Sequence, residues 1–396
     1  MLKGKKILIG VSGGIAAYKI PLLVRQYKKA GAEVKIILTP ASLDFVSPLV
    51  LSTLSGNKVL TSTISTDKTQ WENHVDIALW ADVFIVAPAT ANTLAKMANG
   101  ICDNLLLAVY LSAKCPVMFA PAMDLDMYKH PSFVRNRQTL LDYGNIEIPA
   151  EEGFLASGLI GKGRLAEPET IYWHTVAQFS KTGKFQGKHI LINAGPTFEA
   201  IDPVRFIGNR STGKMGIALA QEAALQGATV DLILGPSAEQ VNHPMVSVTR
   251  VESASEMYEA CVNVWKYADI GILTAAVADF KPKYSANQKI KKTSEEDGMS
   301  IELIQNPDIL KTLGQTKQGS QLLVGFALET NNALEYGKSK ILKKNLDLIV
   351  INTLEDEGAG FGHSTNKVTI ITKQNKIDTF ELKSKTLVAK DILNSI

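Results

Sequence analysis

The hydrophobic positions of the chain fall into short, continuously apolar runs separated by longer segments of mixed polarity. One such run, Ile7–Val11, lies near the start, and a similar one, Ile190–Ile192, lies in the second half. Apolar runs of this length are typical of parallel strands that are buried on both faces. The segments between the runs are long enough for helices, so the pattern predicts right-handed strand–helix–strand units.

The pattern occurs twice. Three pairs of segments correspond in order: Lys5–Gly10 with Lys188–Asn193, Gly31–Pro40 with Gly227–Pro236, and Ala81–Val86 with Ala268–Leu273. Gly31 and Gly227 stand where the helix before each second strand should end. We therefore expect an α/β fold with two doubly wound, mostly parallel-sheet, Rossmann-like domains in tandem. We place the join in the polar segment Lys181–Gly187, which assigns residues 1–183 to the first domain and residues 184–396 to the second.

Composition excludes several classes of protein. Among the 396 residues, 45% are hydrophobic and 20% are charged, which excludes a disordered or fibrous chain. A net charge of +3 is too small for a dedicated nucleic-acid binder, so we expect no nucleic-acid partner. Lys114–Pro116 divides the apolar window Asn104–Met123 into two halves too short to span a membrane, so we expect no membrane partner. Three cysteines without a Cys-x-x-Cys pair favour a cytoplasmic location.

Ligands of open α/β sheets bind beyond the carboxyl ends of the strands, so the segments that follow strands are the candidate sites. Ser12–Lys19 offers glycines and a helix start to a phosphate, which modestly favours phosphate binding over the alternative, an ordinary tight turn. Ala87–Thr93 and Pro121–Tyr128 follow later strands, and together with His74 they indicate a specific pocket. Taken singly, each of these two segments is also consistent with a turn and a helix cap.

Two long segments interrupt the second half of the chain. Lys281–Ser300 is charged, and Glu355–Lys367 is rich in glycine. Long loops in compact domains are often active-site lids, but solvated surface excursions explain the composition equally well.

Here the sequence resembles a known family. Its first half resembles flavin-dependent cysteine decarboxylases in Ser12–Lys19, His74, Pro88–Thr93, Pro121–Tyr128 and Gly158–Arg164. Its second half resembles phosphopantothenate–cysteine ligases in Ala194–Thr197, Asp202–Arg205, Ser211–Gly216, Ala275–Asp279, Asn306–Ile309, Gly325–Ala327 and Lys343–Asp347. In this order the segments resemble the bifunctional decarboxylase–ligase enzymes of coenzyme A biosynthesis over nearly the whole chain.

For the first domain, the resemblance implies FMN and the decarboxylation of phosphopantothenoylcysteine to 4'-phosphopantetheine. It assigns FMN to Ser12, Gly13, Gly14, Thr39, Pro88, Ala89, Thr90 and Asn92. His74 matches the family's catalytic base. Asp124 and Ser157 are also expected to be catalytic, but both depart from the family, which usually has Asn and Cys there. The family's Cys protonates an enethiolate; a serine hydroxyl is a much weaker acid and would relay a proton.

For the second domain, the resemblance implies CTP, Mg²⁺, and the joining of 4'-phosphopantothenate to cysteine through an acyl-cytidylate. Asn209 would hold that intermediate, Lys289 would be catalytic, and Asp279 would bind Mg²⁺. The expected CTP site consists of Ala275, Ala276, Asp279, Lys289, Asn306, Pro307, Asp308, Ile309, Phe326, Lys340 and Lys344. By spacing alone, these lysines are also consistent with a solvated charge run and the polar face of a helix.

The resemblance further implies a homo-oligomer, with trimeric N-terminal and dimeric C-terminal domains. One alternative is a ligase whose flavin-binding first domain is only an assembly scaffold. Another is a flavin-dependent electron-transfer or prenyl-transfer protein, which is disfavoured because His74 and Pro121–Tyr128 would have no role in it.

Overall fold

The structure is a computed structural model that describes residues 2–64, 71–180, 183–291, 299–329, 333–353 and 362–396. The chain divides into two compact units, Met1–Phe179 and Ser180–Ile396, which are described one at a time. Over the described ranges, no helix is long and apolar enough to cross a membrane. The predicted join lies partly outside these ranges, because residues 181 and 182 are not among them.

The first unit is built on a six-stranded parallel sheet. Its strands are β1 (Lys6–Val11), β2 (Glu33–Leu38), β3 (Val59–Leu60), β4 (Val83–Ala89), β5 (Val117–Pro121) and β6 (Ile146–Glu147). They lie in the spatial order β3-β2-β1-β4-β5-β6, so the strand order reverses between β1 and β4. Every residue of β4 is buried, which explains the absence of polar alternation in its sequence.

Eight α-helices and a hairpin complete the described part of this unit. The helices are α1 (Ile20–Lys29), α2 (Pro48–Ser55), α3 (His74–Trp80), α4 (Ala91–Ala98), α5 (Leu105–Ser112), α6 (Leu125–Lys129), α7 (Pro131–Asp142) and α8 (Pro168–Phe179). The antiparallel hairpin pairs β7 (Glu151–Phe154) with β8 (Ile160–Arg164). Thr90 caps α4 by accepting a hydrogen bond from the Thr93 N–H.

The second unit contains an eight-stranded sheet and two small antiparallel pairs. Its strands are β9 (His189–Ala194), β10 (Phe198–Ala200), β11 (Phe206–Gly208), β12 (Thr229–Leu234), β13 (Val246–Arg250), β14 (Ile270–Leu273), β15 (Phe280–Pro282), β16 (Leu303–Gln305), β17 (Leu322–Glu329), β18 (Leu348–Thr353), β19 (Thr365–Thr372) and β20 (Ile377–Ser384). Its helices are α9 (Lys214–Leu225), α10 (Ala254–Trp265), α11 (Ile309–Thr316), α12 (Ala333–Lys343) and α13 (Lys385–Ser395).

The main sheet of the second unit has the order β13-β12-β9-β14-β17-β18-β19-β20. The neighbours β12-β9-β14 reproduce the arrangement β2-β1-β4 of the first unit, as the repeated segments of the sequence predict. The predicted fold class, two doubly wound and mostly parallel α/β domains in tandem, is confirmed.

The far edge of this sheet differs from the rest, because β19 and β20 are antiparallel. Along β19, Val368 and Ile370 are buried and alternate with less buried positions. They pack in the same core cluster as Val388 and Ile392 of α13. One face of the edge is thus covered by the C-terminal helix. Of the two long segments expected as lids or surface excursions, residues 292–298 and 355–361 lie outside the described ranges.

Candidate active sites

Two adjoining cavities of the first unit lie beyond the carboxyl ends of its central strands. The loop cavity, of about 480 Å³, is lined by Gly13, Thr39, Thr90, Asn92, Met123 and their neighbours. The hairpin cavity, of about 400 Å³, is lined by Gly14, Pro88, Thr90, Asp124, Ser157, Arg164 and their neighbours. They share Thr90 and Met123, so six of the eight expected FMN residues, all but Ser12 and Ala89, border one connected region together with the two unusual catalytic residues.

Ser12 fastens the end of β1 to the end of β4, at the point where the strand order reverses. Its buried hydroxyl donates to the Pro88 carbonyl at 2.6 Å and accepts from the Thr90 N–H at 3.0 Å. At the next residue, a Cβ on Gly13 would lie 2.6 Å from the Ala41 carbonyl oxygen, so the close approach of the two loops requires glycine. Ser12 therefore holds together the two strand ends that border the cavities. Ala89 is also buried at this strand end.

Thr39 gives a test of whether the loop cavity fits a flavin nucleotide. Its hydroxyl is buried and has no hydrogen-bond partner within the described part of the protein. Leaving such a group unsatisfied costs about 1–3 kcal/mol, so a polar ligand group would stabilise it. The Asn92 amide and the Gly13 backbone border the same cavity. These groups suit the phosphate and hydroxyl groups of a nucleotide, and the residues present fit FMN.

The β7–β8 hairpin forms one wall of the hairpin cavity and carries Ser157 in its exposed turn. The Met123 N–H donates to the Gly163 carbonyl at 3.0 Å, which fixes β8 against the segment after β5. A Cβ on Gly163 would lie 2.4 Å from the Met123 carbonyl oxygen. The backbone contact that brings Ser157 to the cavity containing Asp124 therefore requires glycine at position 163.

Asp124 is the N-cap residue of α6. Its Oδ1 accepts from the Leu125 N–H at 2.6 Å. The cations of the cavity bind a different carboxylate: Lys19 contacts Glu167 at 2.9 Å, and Arg164 contacts it as well. Burial raises the pKa of Glu167, but its hydrogen bonds and charge interactions with these two cations outweigh burial and leave that pKa below its ordinary value. Asp124 thus presents negative charge to a cavity whose basic residues are bound to Glu167.

His74 is not brought to these cavities. It is the first residue of α3, is partly exposed, and lines neither cavity as far as the described residues define them. Its ring centroid lies 6.3 Å from that of Trp71. Trp71, Val75 and Leu79 expose large apolar side chains on or beside this helix.

The second unit has a cavity of about 480 Å³ at the carboxyl ends of β9, β14 and β17, which we call the ligase-type cavity. Its lining includes the expected residues Asn209, Ala275, Ala276, Asp279, Asn306, Pro307, Asp308, Ile309, Phe326, Lys340 and Lys344. Lys289 is the exception: it is exposed and lies outside the lining given by the described residues.

Three asparagine amides hold the loop that follows β14. Asn193 Oδ1 accepts from the Ala275 N–H at 2.9 Å. Asn209 Nδ2 donates to the Ala276 carbonyl at 2.9 Å, and Asn306 Nδ2 donates to the Ala278 carbonyl at 2.9 Å. Because the loop carries much of the expected nucleotide site, Asn209 positions the site as well as lining it.

Helix starts also border this cavity. Gly213, with φ of +80°, is the N-cap of α9, and no side chain of the described residues caps that helix. At α11 the Asp308 carboxylate accepts from the Lys311 N–H and pairs with Lys344 at 2.9 Å. Helix N-termini attract anions, so α9 offers uncapped N–H groups to a phosphate.

Several lining residues were not among those predicted. They are Ser211–Met215, Asn352, Asn366 and Lys385. The glycine-containing segment Ser211–Gly216 already marked the family resemblance, but Lys385 carries no local signal in the sequence. It reaches the cavity only because α13 packs on the sheet.

Asp279 is exposed beside the same cavity. The described residues contain no group of three or more His, Cys, Asp or Glu side chains arranged to hold a metal. Mg²⁺ bound with a nucleotide takes most of its ligands from phosphates and water, and needs only one or two carboxylates from the protein. Asp279 fits that kind of site.

Two doubly wound domains, each with a polar cavity at the carboxyl ends of its strands, define a tandem α/β protein with two ligand sites. Residues 1–180 match the Flavoprotein family, and residues 185–396 match the DNA/pantothenate metabolism flavoprotein C-terminal domain. The coenzyme A biosynthesis bifunctional protein CoaBC of Bacillus subtilis is 46% identical over 398 residues, covering 100% of this chain and 97% of that protein. The chain belongs to the CoaBC family, as the sequence resemblance predicts.

A second relative has a different name. A cysteine/cysteine sulfinic acid decarboxylase from an unknown prokaryotic organism is 52% identical over 355 residues, covering 89% of this chain and 98% of that protein. Among solved structures, the C-terminal domain of a CoaBC protein is 43% identical, with a TM-score of 0.45, over 53% of this chain and 94% of that one. The FMN-dependent cysteine decarboxylase SpaF is 28% identical, with a TM-score of 0.38, over 43% of this chain and 95% of that one.

Proposed function

We propose that the chain catalyses two consecutive reactions of coenzyme A biosynthesis. Residues 184–396 join 4'-phosphopantothenate to cysteine at the expense of CTP, and residues 1–183 decarboxylate the resulting phosphopantothenoylcysteine to 4'-phosphopantetheine. The observation that carries the proposal is that each unit brings most of its own family residues together around its own cavities, with His74 and Lys289 as the main exceptions. Membership of the CoaBC family supports it.

In the first domain, Gly13, Thr39 and Asn92 would hold FMN in the loop cavity. When bound, FMN would accept a hydride from the carbon that bears the substrate thiol, which allows the carboxylate to leave as carbon dioxide, and would return that hydride afterwards, so that the overall reaction needs no other oxidant or reductant. Ser157 stands in the hairpin turn, where its hydroxyl can pass a proton to the sulfur-bearing product.

His74 takes part through a second copy of the chain. It lies outside both cavities as described, and the exposed apolar side chains of Trp71, Val75 and Leu79 give its surroundings the character of a contact surface. We propose trimeric first domains in which His74 of one copy completes the cavity of another, and dimeric second domains.

A mixing experiment tests this arrangement. His74→Asn copies and Ser157→Ala copies should each form little 4'-phosphopantetheine alone, and they should recover its formation when they are refolded together as mixed trimers. Recovery would be absent if His74 acted within its own copy, and sedimentation analysis would report the oligomer independently.

In the second domain, Asn209 holds the reacting acyl-cytidylate, and Lys340 and Lys344 stabilise negative charge on the nucleotide. Asp279 contributes a carboxylate to Mg²⁺. Lys289 is exposed outside the cavity, so its proposed action on the nucleotide requires its segment to move toward the site. The unpaired state of Cys102, Cys115 and Cys261 supports a cytoplasmic location.

A coupled assay tests the two activities together. Purified protein is incubated with 4'-phosphopantothenate, cysteine, CTP, Mg²⁺ and FMN, and the products are followed by mass spectrometry. We expect pyrophosphate, CMP, carbon dioxide and 4'-phosphopantetheine. Accumulation of phosphopantothenoylcysteine by yellow protein without carbon dioxide release would instead favour the scaffold alternative for the first domain.

Asp124 favours a second candidate function, the decarboxylation of free cysteine. In phosphopantothenoylcysteine the α-nitrogen is an uncharged amide, so the Asp124 carboxylate meets only the substrate carboxylate and repels it. Free cysteine carries an α-ammonium group that Asp124 can pair with. The 52% identical relative named for cysteine decarboxylation supports this candidate. Comparing kcat/KM for the two substrates tests it, because a true cysteine decarboxylase prefers the free amino acid.

A further inference from the structure

The turn between β10 and β11 contains a buried ion pair. Asp202 is 2% exposed, and its Oδ2 accepts from Arg205 Nε at 3.0 Å. Its Oδ1 accepts from the backbone N–H groups of Val204 and Arg205, both at 2.9 Å. Hydrogen bonds from the Arg205 side chain lower the pKa of Asp202 well below its ordinary value, and backbone N–H donors lower it further, although burial opposes the shift. Asp202 is therefore ionised near neutral pH, and the turn has a fixed negative charge at its centre.

This ion pair holds a residue of a distant segment by both of its backbone groups. The Ile290 N–H donates to Asp202 Oδ2 at 3.1 Å, and the Ile290 carbonyl accepts from Arg205 Nη2 at 2.8 Å. Four residues earlier, the Ala286 N–H donates to the Ile201 carbonyl at 2.9 Å. The segment belongs to no helix or strand there, so it depends on contacts such as these for its position. We call Asp202, Arg205 and the Ile290 backbone the turn anchor.

The anchored residue is the next one after Lys289. Successive Cα atoms lie about 3.8 Å apart across a trans peptide bond, so the Lys289 backbone stays beside the turn as long as Ile290 is held. The Lys289 side chain itself is exposed, so its ammonium group can turn in several directions from that point. A catalytic group whose backbone is already fixed loses less freedom when it meets its target.

The other end of the same hairpin belongs to the ligase-type cavity. β11 leads directly into Asn209, which lines the cavity and donates to the Ala276 carbonyl at 2.9 Å. Just before β10, Thr197 Oγ1 accepts from the Ala278 N–H at 3.0 Å. The hairpin therefore connects the turn anchor with the loop that carries much of the expected nucleotide site.

We propose that Asp202 is a positioning residue for Lys289 in the ligation reaction. The inference rests on the proposed CTP-dependent ligation, in which Lys289 acts on the nucleotide. Asp202 does not line the cavity as the described residues define it, and it acts through the backbone of Ile290. The movement that brings Lys289 to the nucleotide therefore takes place about Ile290 or carries the hairpin turn with it.

The test combines substitutions in the full-length protein. Asp202→Asn keeps the size of the side chain but removes the charge at the centre of the turn anchor. Lys289→Gln removes the ammonium group, and a double variant carries both changes. Asp231→Asn is the matched control, alone and with Lys289→Gln. Asp231 is a partly buried carboxylate of the same unit that is hydrogen-bonded to His189 at 2.8 Å and does not line the cavity as described.

Pyrophosphate release gives kcat and the KM for CTP, and mass spectrometry gives the deuterium uptake of the peptide that contains Ile290. We expect Asp202→Asn to lower kcat by about 10-fold, a usual effect of losing hydrogen bonds to a charged group, and to leave the KM for CTP within about twofold. In the Lys289→Gln background it should change kcat by less than about twofold, because the group that Asp202 positions is gone. The Ile290 peptide should exchange faster in Asp202→Asn and at the wild-type rate in Asp231→Asn.

The same fractional loss of kcat from Asp202→Asn with and without Lys289 would show a general structural role and overturn the proposal. Full turnover by Lys289→Gln, or unchanged exchange of the Ile290 peptide in Asp202→Asn, would overturn it as well. If Asp202→Asn does not fold, Ile290→Pro removes the N–H donor from the exposed side of the turn anchor and should give the same kinetic pattern. Failure of the wild-type protein to release pyrophosphate from CTP would instead refute the proposed ligase function, and deuterium exchange would still test the turn anchor.

Discussion

Replacing Asp124 with Asn should shift the substrate preference of the first domain toward phosphopantothenoylcysteine and away from free cysteine. The substitution removes one negative charge from the hairpin cavity and restores the residue that the family usually has. Asn also caps helices well, and its side-chain oxygen can still accept from the Leu125 N–H, so α6 should remain intact. The change is therefore close to a pure test of charge.

The magnitude follows from Coulomb's law. Two unit charges 4 Å apart interact by about 4 kcal/mol at an effective dielectric constant of ~20. Asp124 is partly exposed, so screening reduces this to about 1–2 kcal/mol. We expect Asp124→Asn to raise kcat/KM for phosphopantothenoylcysteine by about 5- to 30-fold and to lower it for free cysteine by a similar factor. The ratio of the two values should then change by roughly 30- to 1000-fold.

The assay measures carbon dioxide release from each substrate separately, with flavin content determined by absorbance. Asp126→Asn is the matched control, because Asp126 lies exposed on the same short helix and does not line the cavity as described. Equal changes for both substrates, or the same change in the control, would show that Asp124 does not recognise the α-nitrogen.

Three further predictions follow from the two sites. Ser157→Ala should still release carbon dioxide but accumulate an enethiol about two mass units lighter than 4'-phosphopantetheine. Ser157→Cys should speed the final step, because a thiol is a stronger acid than a hydroxyl. Normal 4'-phosphopantetheine formation by Ser157→Ala would assign the proton to another group. Asn209→Ala removes two hydrogen bonds to the loop after β14. It should lower ligase turnover, measured by pyrophosphate release, by at least about 10-fold and leave decarboxylation unchanged. Full ligase turnover would show that Asn209 is not part of the site. Gly163→Ala should lower decarboxylase activity and flavin retention, because its Cβ would overlap the Met123 carbonyl oxygen. The control is Gly144→Ala, where φ is +83° and no atom lies within 4 Å of the added Cβ, so this variant should show only backbone strain. Equal losses in both variants would refute the steric argument.

The repeated part of the fold was predictable because its physical basis is local. Parallel strands buried on both faces require unbroken apolar runs, and β1 and β9 each carry one. The antiparallel edge was not predicted. The half-buried alternation of β19 depends on α13 packing against it, and no short window of sequence contains both elements.

The residues of the candidate sites also divide into those that the sequence predicted correctly and those that it did not. The residues that follow parallel strands, such as Thr39 after β2 and Ala275 after β14, reach the cavities because the carboxyl ends of parallel strands lie at one edge of each sheet. Lys289 and His74 lie outside the cavities of the described chain. Lys385 was missed because its place in the lining of the ligase-type cavity is a property of tertiary packing.

Each cavity is lined by residues of a single unit, the first two between Gly13 and Leu165 and the third between Asn193 and Lys385. A defect in one cavity therefore leaves the other chemically intact. A cell carrying two gene copies, one with Ser157 disabled and the other with Asn209 disabled, should still grow, because the intermediate made by one polypeptide can diffuse to the next. The two sites can thus diverge separately during evolution. Substitutions can change the substrate specificity of the first domain without altering the nucleotide chemistry of the second.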